Sequence, residues 1–233
     1  MFKKIKQKRR HKQLKNAGIV VNSKLSGEIQ FFGDRTGMWP LYSAFPNKGG
    51  LIYSFGVGNN LSWELELLEN YPAQIFTYDP TPASIDWVAS QLLPEGLNFS
   101  PIGLADFCGD VNFFIPRREG RFNYSVVKRG GKYPNQTIAC QVQDLATVAK
   151  FNKHTKINVL KLDIEGAEMT ALPNALNAGI EIEQILVELH YNYAGVTFSK
   201  TVELINSLFD HGYDLFWISS RAYEFGFVKP AQT

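Results

Sequence analysis

No apolar run in this 233-residue sequence approaches the roughly 20 residues that an α-helix needs to cross a bilayer. Its basic N-terminus leads only into Ala17-Gly18-Ile19-Val20-Val21, too short for the apolar region of a signal peptide. Two cysteines, Cys108 and Cys140, make neither a disulfide framework nor a metal-ligand set. No paired-histidine spacing and no Asp/Asn loop of a metal motif occurs, so no metal site is expected. No Gly-Lys-Ser/Thr follows a glycine loop, which excludes a P-loop for nucleoside triphosphates. Internal repeats and low-complexity stretches are missing too, and 45% hydrophobic with 20% charged residues is ordinary globular composition. A reduced, cytoplasmic protein of one α/β domain is expected.

Acids are missing from the first fifteen residues, where Lys3, Lys4, Lys6, Lys8, Arg9, Arg10, Lys12 and Lys15 stand. The other 16 cations face 22 acids, so a net charge of +2 hides a body near −6. Residues 1–16 read as a flexible, solvated basic arm, able to touch an anionic surface. Residues 17–50 read as a lead-in segment packed on a domain spanning 51–233.

That domain is organised around Tyr53-Ser54-Phe55-Gly56-Val57-Gly58-Asn59-Asn60. An apolar strand ends in two glycines, and a helix with Leu61, Leu65 and Leu68 on one face follows. The glycines let backbone approach a ligand, and the helix N-terminus offers unpaired N–H groups. About twenty residues on, a second strand, Gln74–Tyr78, ends in Asp79, an acid placed to accept hydrogen bonds from ribose hydroxyls. Thr81 and Pro82 then open a helix whose buried stripe is Ile85, Val88, Ala89 and Leu92. A third strand is expected over Asn98–Leu104, a further one over Gly109–Pro116, and a basic surface loop over 117–136. Strands at 137–142, 157–162 and 185–189 alternate with helices, the last with Val202, Ile205 and Phe209 inward. Asp214–Ser219 and Glu224–Val228 close the chain. Their four-residue link cannot hold a crossover helix, so they pair antiparallel.

The spacing indicates a nucleoside without saying which. Dinucleotide folds want a third glycine where this chain has Leu61. A terminal hairpin on a doubly wound sheet is the usual finish of S-adenosylmethionine-dependent methyltransferases, which favours that methyl donor over NAD. The glycine loop, Tyr78-Asp79-Pro80-Thr81-Pro82, Gly103-Leu104-Ala105-Asp106, Leu160-Lys161-Leu162-Asp163-Ile164-Glu165-Gly166-Ala167-Glu168 and Val187-Glu188-Leu189-His190 together resemble the FkbM-type methyltransferases. The resemblance covers roughly residues 33–228. It implies the Rossmann-like class I methyltransferase fold, a mostly parallel sheet with a C-terminal antiparallel hairpin, and S-adenosyl-L-methionine as cofactor. Ser54, Gly56, Gly58, Asn59, Asp79, Leu104, Asp106 and Asp163 would then bind the donor. Many relatives have an acid where Asn59 and Asn60 stand, so donor contact there would come from backbone.

Asp163, Glu165 and Glu168 gather at the carboxyl end of the fourth strand, where ligands sit in open α/β sheets. Glu168 also suits the positive end of a helix dipole. Asp163, Glu165 and His190 are the candidate catalytic residues, His190 as base for a hydroxyl acceptor. A Lys161–Glu188 pair between neighbouring strands is expected beneath them. The resemblance implies O-methylation of a hydroxyl on a sugar, glycan or small natural product. The loop from Arg117 to Lys132 could cover that acceptor, with Arg35, Trp39 and Tyr191 opposite. An NAD-linked oxidoreductase and a non-catalytic donor-binding module are the alternatives, and an oligomer is possible.

Overall fold

The computed structural model describes residues 2–43, 50–118, 120–128, 135–193 and 195–230. The elements are α1 (Phe2–Asn16), β1 (Ile29–Phe32), β2 (Trp39–Tyr42), β3 (Gly50–Phe55), α2 (Ser62–Asn70), β4 (Ala73–Tyr78), α3 (Pro82–Ala89) and β5 (Leu97–Ser100). They continue with β6 (Gly103–Leu104), β7 (Gly109–Phe114), β8 (Thr137–Gln143), α4 (Leu145–Asn152), β9 (Lys156–Leu162) and α5 (Glu168–Leu176). Last come β10 (Glu181–Glu188), α6 (Phe198–Asp210), β11 (Asp214–Ile218) and β12 (Glu224–Val228).

Seven strands form the central sheet in the order β11-β12-β10-β9-β3-β4-β5. β3, β4, β5, β9 and β10 are parallel, and β12 runs antiparallel between β10 and β11. This is the expected mostly parallel sheet with an antiparallel C-terminal hairpin. On one face Leu145, Val148, Leu172 and Ile205 of α4, α5 and α6 meet Tyr53, Leu160 and Val187. On the other, Leu67 and Val88 of α2 and α3, with Trp39 and Leu41 of the β1–β2 hairpin, meet Ile52, Val159 and Leu186. Both faces are covered, which is why these strands read as apolar runs without alternation.

Several expectations shift. Residues 2–16, read as a flexible arm, are helical, and the end of α1 is seated by Leu14 and Ile19, both buried in the core. Arg10 Nε donates to the Arg221 carbonyl at 2.6 Å, and its guanidinium lies 4.4 Å from the Tyr223 ring centre. The third strand stops at Ser100, before Pro101, which has no N–H for a ladder. Gly103–Leu104 instead pairs with β8 in a separate three-stranded sheet, β6-β8-β7. α3 ends at Ala89 and buries Ser84 and Val88, leaving Leu92 fully exposed beyond it. In α6 the inward residues are Thr201, Leu204, Ile205 and Leu208, displaced by one position from the expected stripe except at Ile205.

The largest change lies under β3. α2 starts at Ser62, so Trp63, Glu64 and Leu67 face inward and Leu65 is exposed. Glu64 goes in because a cation meets it there. Lys161 Nζ lies 3.5 Å from Glu64 Oε1 and donates to Ser54 Oγ at 3.1 Å, while Ser54 donates to Glu64 at 2.6 Å. The Trp39 and Trp63 rings flank the ammonium at 5.7 and 5.6 Å, within cation–π reach. The expected Lys161–Glu188 pair does not form. Leu186 stands opposite Lys161 in the β9–β10 register, and Glu188 lies one pleat further on, bound to Arg221 at 3.0 Å.

Removing one partner of a buried pair strands the other charge, at a cost of about 3–5 kcal/mol. Lys161→Met should therefore lower the urea unfolding free energy by about that much. Adding Glu64→Leu to it should restore a large part, because no charge is then left buried.

Candidate active site

The sheet order reverses between β3 and β9, and at that switch point their carboxyl ends touch. Gly56 (φ +95°) presses so closely on β9 that an added Cβ would sit 1.9 Å from the Asp163 carbonyl oxygen. Asp163 N donates to the Phe55 carbonyl at 3.0 Å and Gly56 N to that of Tyr78 at 2.9 Å, so three strand ends are stitched together here. Asp79 holds the loop that follows. Its Oδ2 accepts from Val57 N at 3.1 Å and Gly58 N at 2.9 Å. Its Oδ1 accepts from Thr81 N at 2.9 Å and Thr81 Oγ1 at 2.6 Å. Four donors fill the roughly four lone-pair positions of a carboxylate.

Above these ends opens a cleft of about 770 Å³, its mouth included. Gly56, Gly58, Asn59 and Asp79 line one part, and Leu104, Phe113, Phe122 and Tyr124 supply apolar and aromatic walls. Asp163, Ile164 and Glu165 complete it. Backbone polar groups beside an apolar wall suit a nucleoside, which needs stacking area and a few fixed partners.

Beside the cleft stands a cluster of acids around one histidine. His190 Nδ1 lies 2.8 Å from Oε1 of the fully buried Glu168. Glu168 also accepts from Ile164 N at 3.2 Å and Gly166 N at 3.0 Å, satisfying amides near the start of α5. His190 Nε2 is 3.2 Å from Glu165 Oε2, 3.8 Å from Glu188 Oε1 and 3.9 Å from Asp163 Oδ1. Glu165 has φ +52° and Gly166 φ +106°. A left-handed glutamate is uncommon, and it is held by Ser125 Oγ, which donates to its carbonyl at 2.7 Å, and by the Tyr193 hydroxyl, which donates to its carboxylate.

Burial alone would lower the pKa of His190. The charge and hydrogen bond of Glu168, then the charges of Glu165 and Asp163, outweigh it and push the ring up to about 10. These partners favour the imidazolium over the neutral ring at neutral pH. Burial, then the charge of Asp163, raises Glu188 to about 7 against the pull of His190 and Arg221. Burial and the charge of Glu165 likewise raise Asp163, against His190, Lys161 and Arg221. Asp163, Glu165 and His190 each bring one ligand-type atom within 4.8 Å of the others. A protonated ring has no lone pair for a cation, so holding one here would require His190 to release its proton.

The expected residues thus divide. Gly56, Gly58, Asn59, Asp79, Leu104, Asp163 and Glu165 line one cleft, with His190 beside it. Ser54 does not reach the cleft, being spent beneath it on Lys161 and Glu64. Asp106 is exposed and outside the lining, because the chain has already left β6. Asn60 also lines the cleft, but its side-chain amide donates to Asp34 Oδ1 at 3.0 Å, and with Thr36 it holds the Asp34 carboxyl well below its usual range. Trp39 is in the core, Arg35 is outside the lining, and Tyr191 is bound to the Ala222 carbonyl and packed on Tyr223. Of the basic loop, Phe122, Asn123 and Tyr124 reach the cleft, while Glu119 and residues 129–134 lie outside the described residues. Sequence reading had Phe122, Tyr124 and Ser125 only as unnamed parts of a covering loop, and it did not single out Tyr193. Only Tyr193, three residues after His190, stood beside a residue already suspected.

Residues 48–215 match the family model described as the methyltransferase FkbM domain, well over half of the chain. A search of curated proteins finds no match. Among solved structures, a fibrillarin/Nop5p complex matches at 6% identity and TM-score 0.44, over 78% of this chain and 73% of that one. A TehB-like SAM-dependent methyltransferase from Corynebacterium glutamicum matches at 12% identity and TM-score 0.37, over 78% of this chain and 81% of that one.

The raised pKa of His190 makes stability depend on pH. Its contribution is complete below the unfolded value of 6.5 and is lost as pH rises through about 10. The urea midpoint of the wild type should exceed that of His190→Gln most clearly near pH 6, and the gap should narrow steadily towards pH 10.

Proposed function

The chain belongs to the FkbM-domain methyltransferases, which use S-adenosylmethionine, and from that premise we propose that it methylates a hydroxyl of a sugar, glycan or small natural product. The single observation carrying this reading is Asp163. Its carboxylate lines the cleft, has no hydrogen-bond partner among the described residues, and has its pKa raised by burial and by the charge of Glu165. A carboxylate so placed is a base for a hydroxyl that loses its proton during methyl transfer.

The cleft fits the donor in kind. The Gly56–Gly58 backbone and Asn59 would hold its amino-acid part, Asp79 its ribose and Leu104 its adenine. Ribose hydroxyls would take over lone pairs of Asp79 that now receive loop amides. The bound donor supplies an electrophilic methyl group on a sulfonium centre. Asp163 accepts the acceptor's proton. Glu168 and Glu165 keep His190 protonated and fixed, so this ring serves as a positioning cation and not as the base read from the sequence. Phe113, Phe122 and Tyr124 exclude water and align the reactants, the main contribution a protein makes to such a displacement.

The described residues form no helix long and apolar enough to cross a membrane. Cys108 and Cys140 are both free thiols, which supports a reducing, cytoplasmic location as part of this proposal.

S-adenosylmethionine and S-adenosylhomocysteine at about a hundred times their dissociation constants should each stabilise the protein by about 2.7 kcal/mol, while NAD should not. Labelled methyl should reach a hydroxyl in a panel of sugars and small molecules. Asp163→Asn should slow that transfer by about 10²–10⁴-fold and leave the S-adenosylhomocysteine response in place. Transfer only to nitrogen or carbon acceptors would overturn the hydroxyl reading, and donor binding with no transfer at all would point to a binding module.

A further inference from the structure

We propose that the outward face of α1 is a docking surface for an anionic lipid bilayer. Ile5, Lys8, Arg9 and Lys12 follow the i, i+3, i+4, i+7 spacing that gathers side chains on one side of a helix. All four are exposed, Ile5 at 54%. Leu14, about two and a half turns beyond Ile5, points the opposite way into the core. The cationic face is therefore turned outward by the same residue that seats the helix. Lys8, Arg9 and Lys12 have no ion-pair partner among the described residues, so their charge is available.

Charge complementarity selects the partner. The body beyond the arm is near −6 and as a whole is repelled by an anionic surface, whereas α1, with no acid in it, is drawn to one. With a single exposed isoleucine among cations, α1 would bind chiefly through charge at the level of the headgroups. Nucleic acid fits less well, because residues 3–16 contain no Phe, Tyr or Trp on which bases could stack. The helix is also held in a fixed relation to the cleft's corner. Arg10 and His11 bind the carbonyls of Arg221 and Ser220, and Arg221 pairs with Glu188, 3.8 Å from His190. Docking through the opposite face would thus hold that corner at a fixed distance from the membrane, with α1 between them. The proposal stands whichever acceptor is methylated.

The test is co-sedimentation of the full chain with vesicles of phosphatidylcholine alone and with one-third phosphatidylglycerol. Binding is expected only to the anionic vesicles, with release at high salt. At the usual strength of a basic residue near such a surface, Lys8→Gln/Arg9→Gln/Lys12→Gln should weaken partitioning on the order of 100-fold. These side chains are exposed, so the thermal midpoint and the S-adenosylhomocysteine response should not move. Equal binding to neutral vesicles, no binding to anionic ones at low salt, or wild-type partitioning by the triple variant would overturn the proposal. So would complete stripping of the protein from anionic vesicles by RNA at matched phosphate concentration.

Discussion

The site depends on the contact between Gly56 and the Asp163 carbonyl. There is no room for even one carbon between them, since a Cβ would fall 1.9 Å from that oxygen. This closeness brings two sequence-distant segments, the glycine loop after β3 and the acidic segment after β9, to opposite sides of one cleft. Parallel pairing of β3 with β9 delivers the strand ends at the same height, and the hydrogen bond from Asp163 N to the Phe55 carbonyl locks them. A side chain at position 56 would part the strand ends, and the glycine-loop side of the cleft would lose its acidic neighbour.

Charge is buried on both sides of this contact, with different solutions. Beneath it, Lys161 and Glu64 neutralise each other within a polar and aromatic box made by Ser54, Trp39 and Trp63. Beside it, four acids surround His190, with Arg221 as the further cation. The first arrangement is balanced and ties β9 to β3 and α2. The second keeps a surplus of negative charge beside an open cleft. Structural pairs tend towards neutrality because desolvated excess charge is expensive, and here the excess shows as the raised pKa of Asp163 and Glu188.

The sequence displayed the skeleton of the site more readily than its electrostatics. Gly56, Gly58 and Asp79 were legible because strand, glycine turn and helix follow one another locally, and a turn's chemistry is written in adjacent residues. Asp163 and His190 were legible as strand-end polar residues after apolar runs. The Lys161–Glu64 pair was not, because a shift of one residue in the start of α2 decides whether Glu64 or Leu65 faces inward. Nor was the fate of Asp106, since Pro101 divides what looks like a single strand. Phe122 and Tyr124 lie in a basic stretch with no periodicity, and only the tertiary fold carries them to the cleft. His190 shows the limit best. Its position was readable, but its protonation is set by Glu168, twenty-two residues away, which also had a sufficient local reason to exist at the start of α5.

The surplus charge bears on the proposed reaction. A cluster that only attracted a cationic donor would stabilise the ground state and resist the loss of positive charge during methyl transfer. Catalysis requires interactions that hold or strengthen as the transition state forms. Asp163 removes the conflict if it accepts the hydroxyl proton, because the cluster then loses one negative charge as its neighbour loses one positive charge. A neutral His190 acting as base would instead become cationic, and Glu168 and Glu165 have already filled that role by keeping the ring protonated. One carboxylate without a described hydrogen-bond partner, among others that are engaged, is what the exchange of a single proton requires.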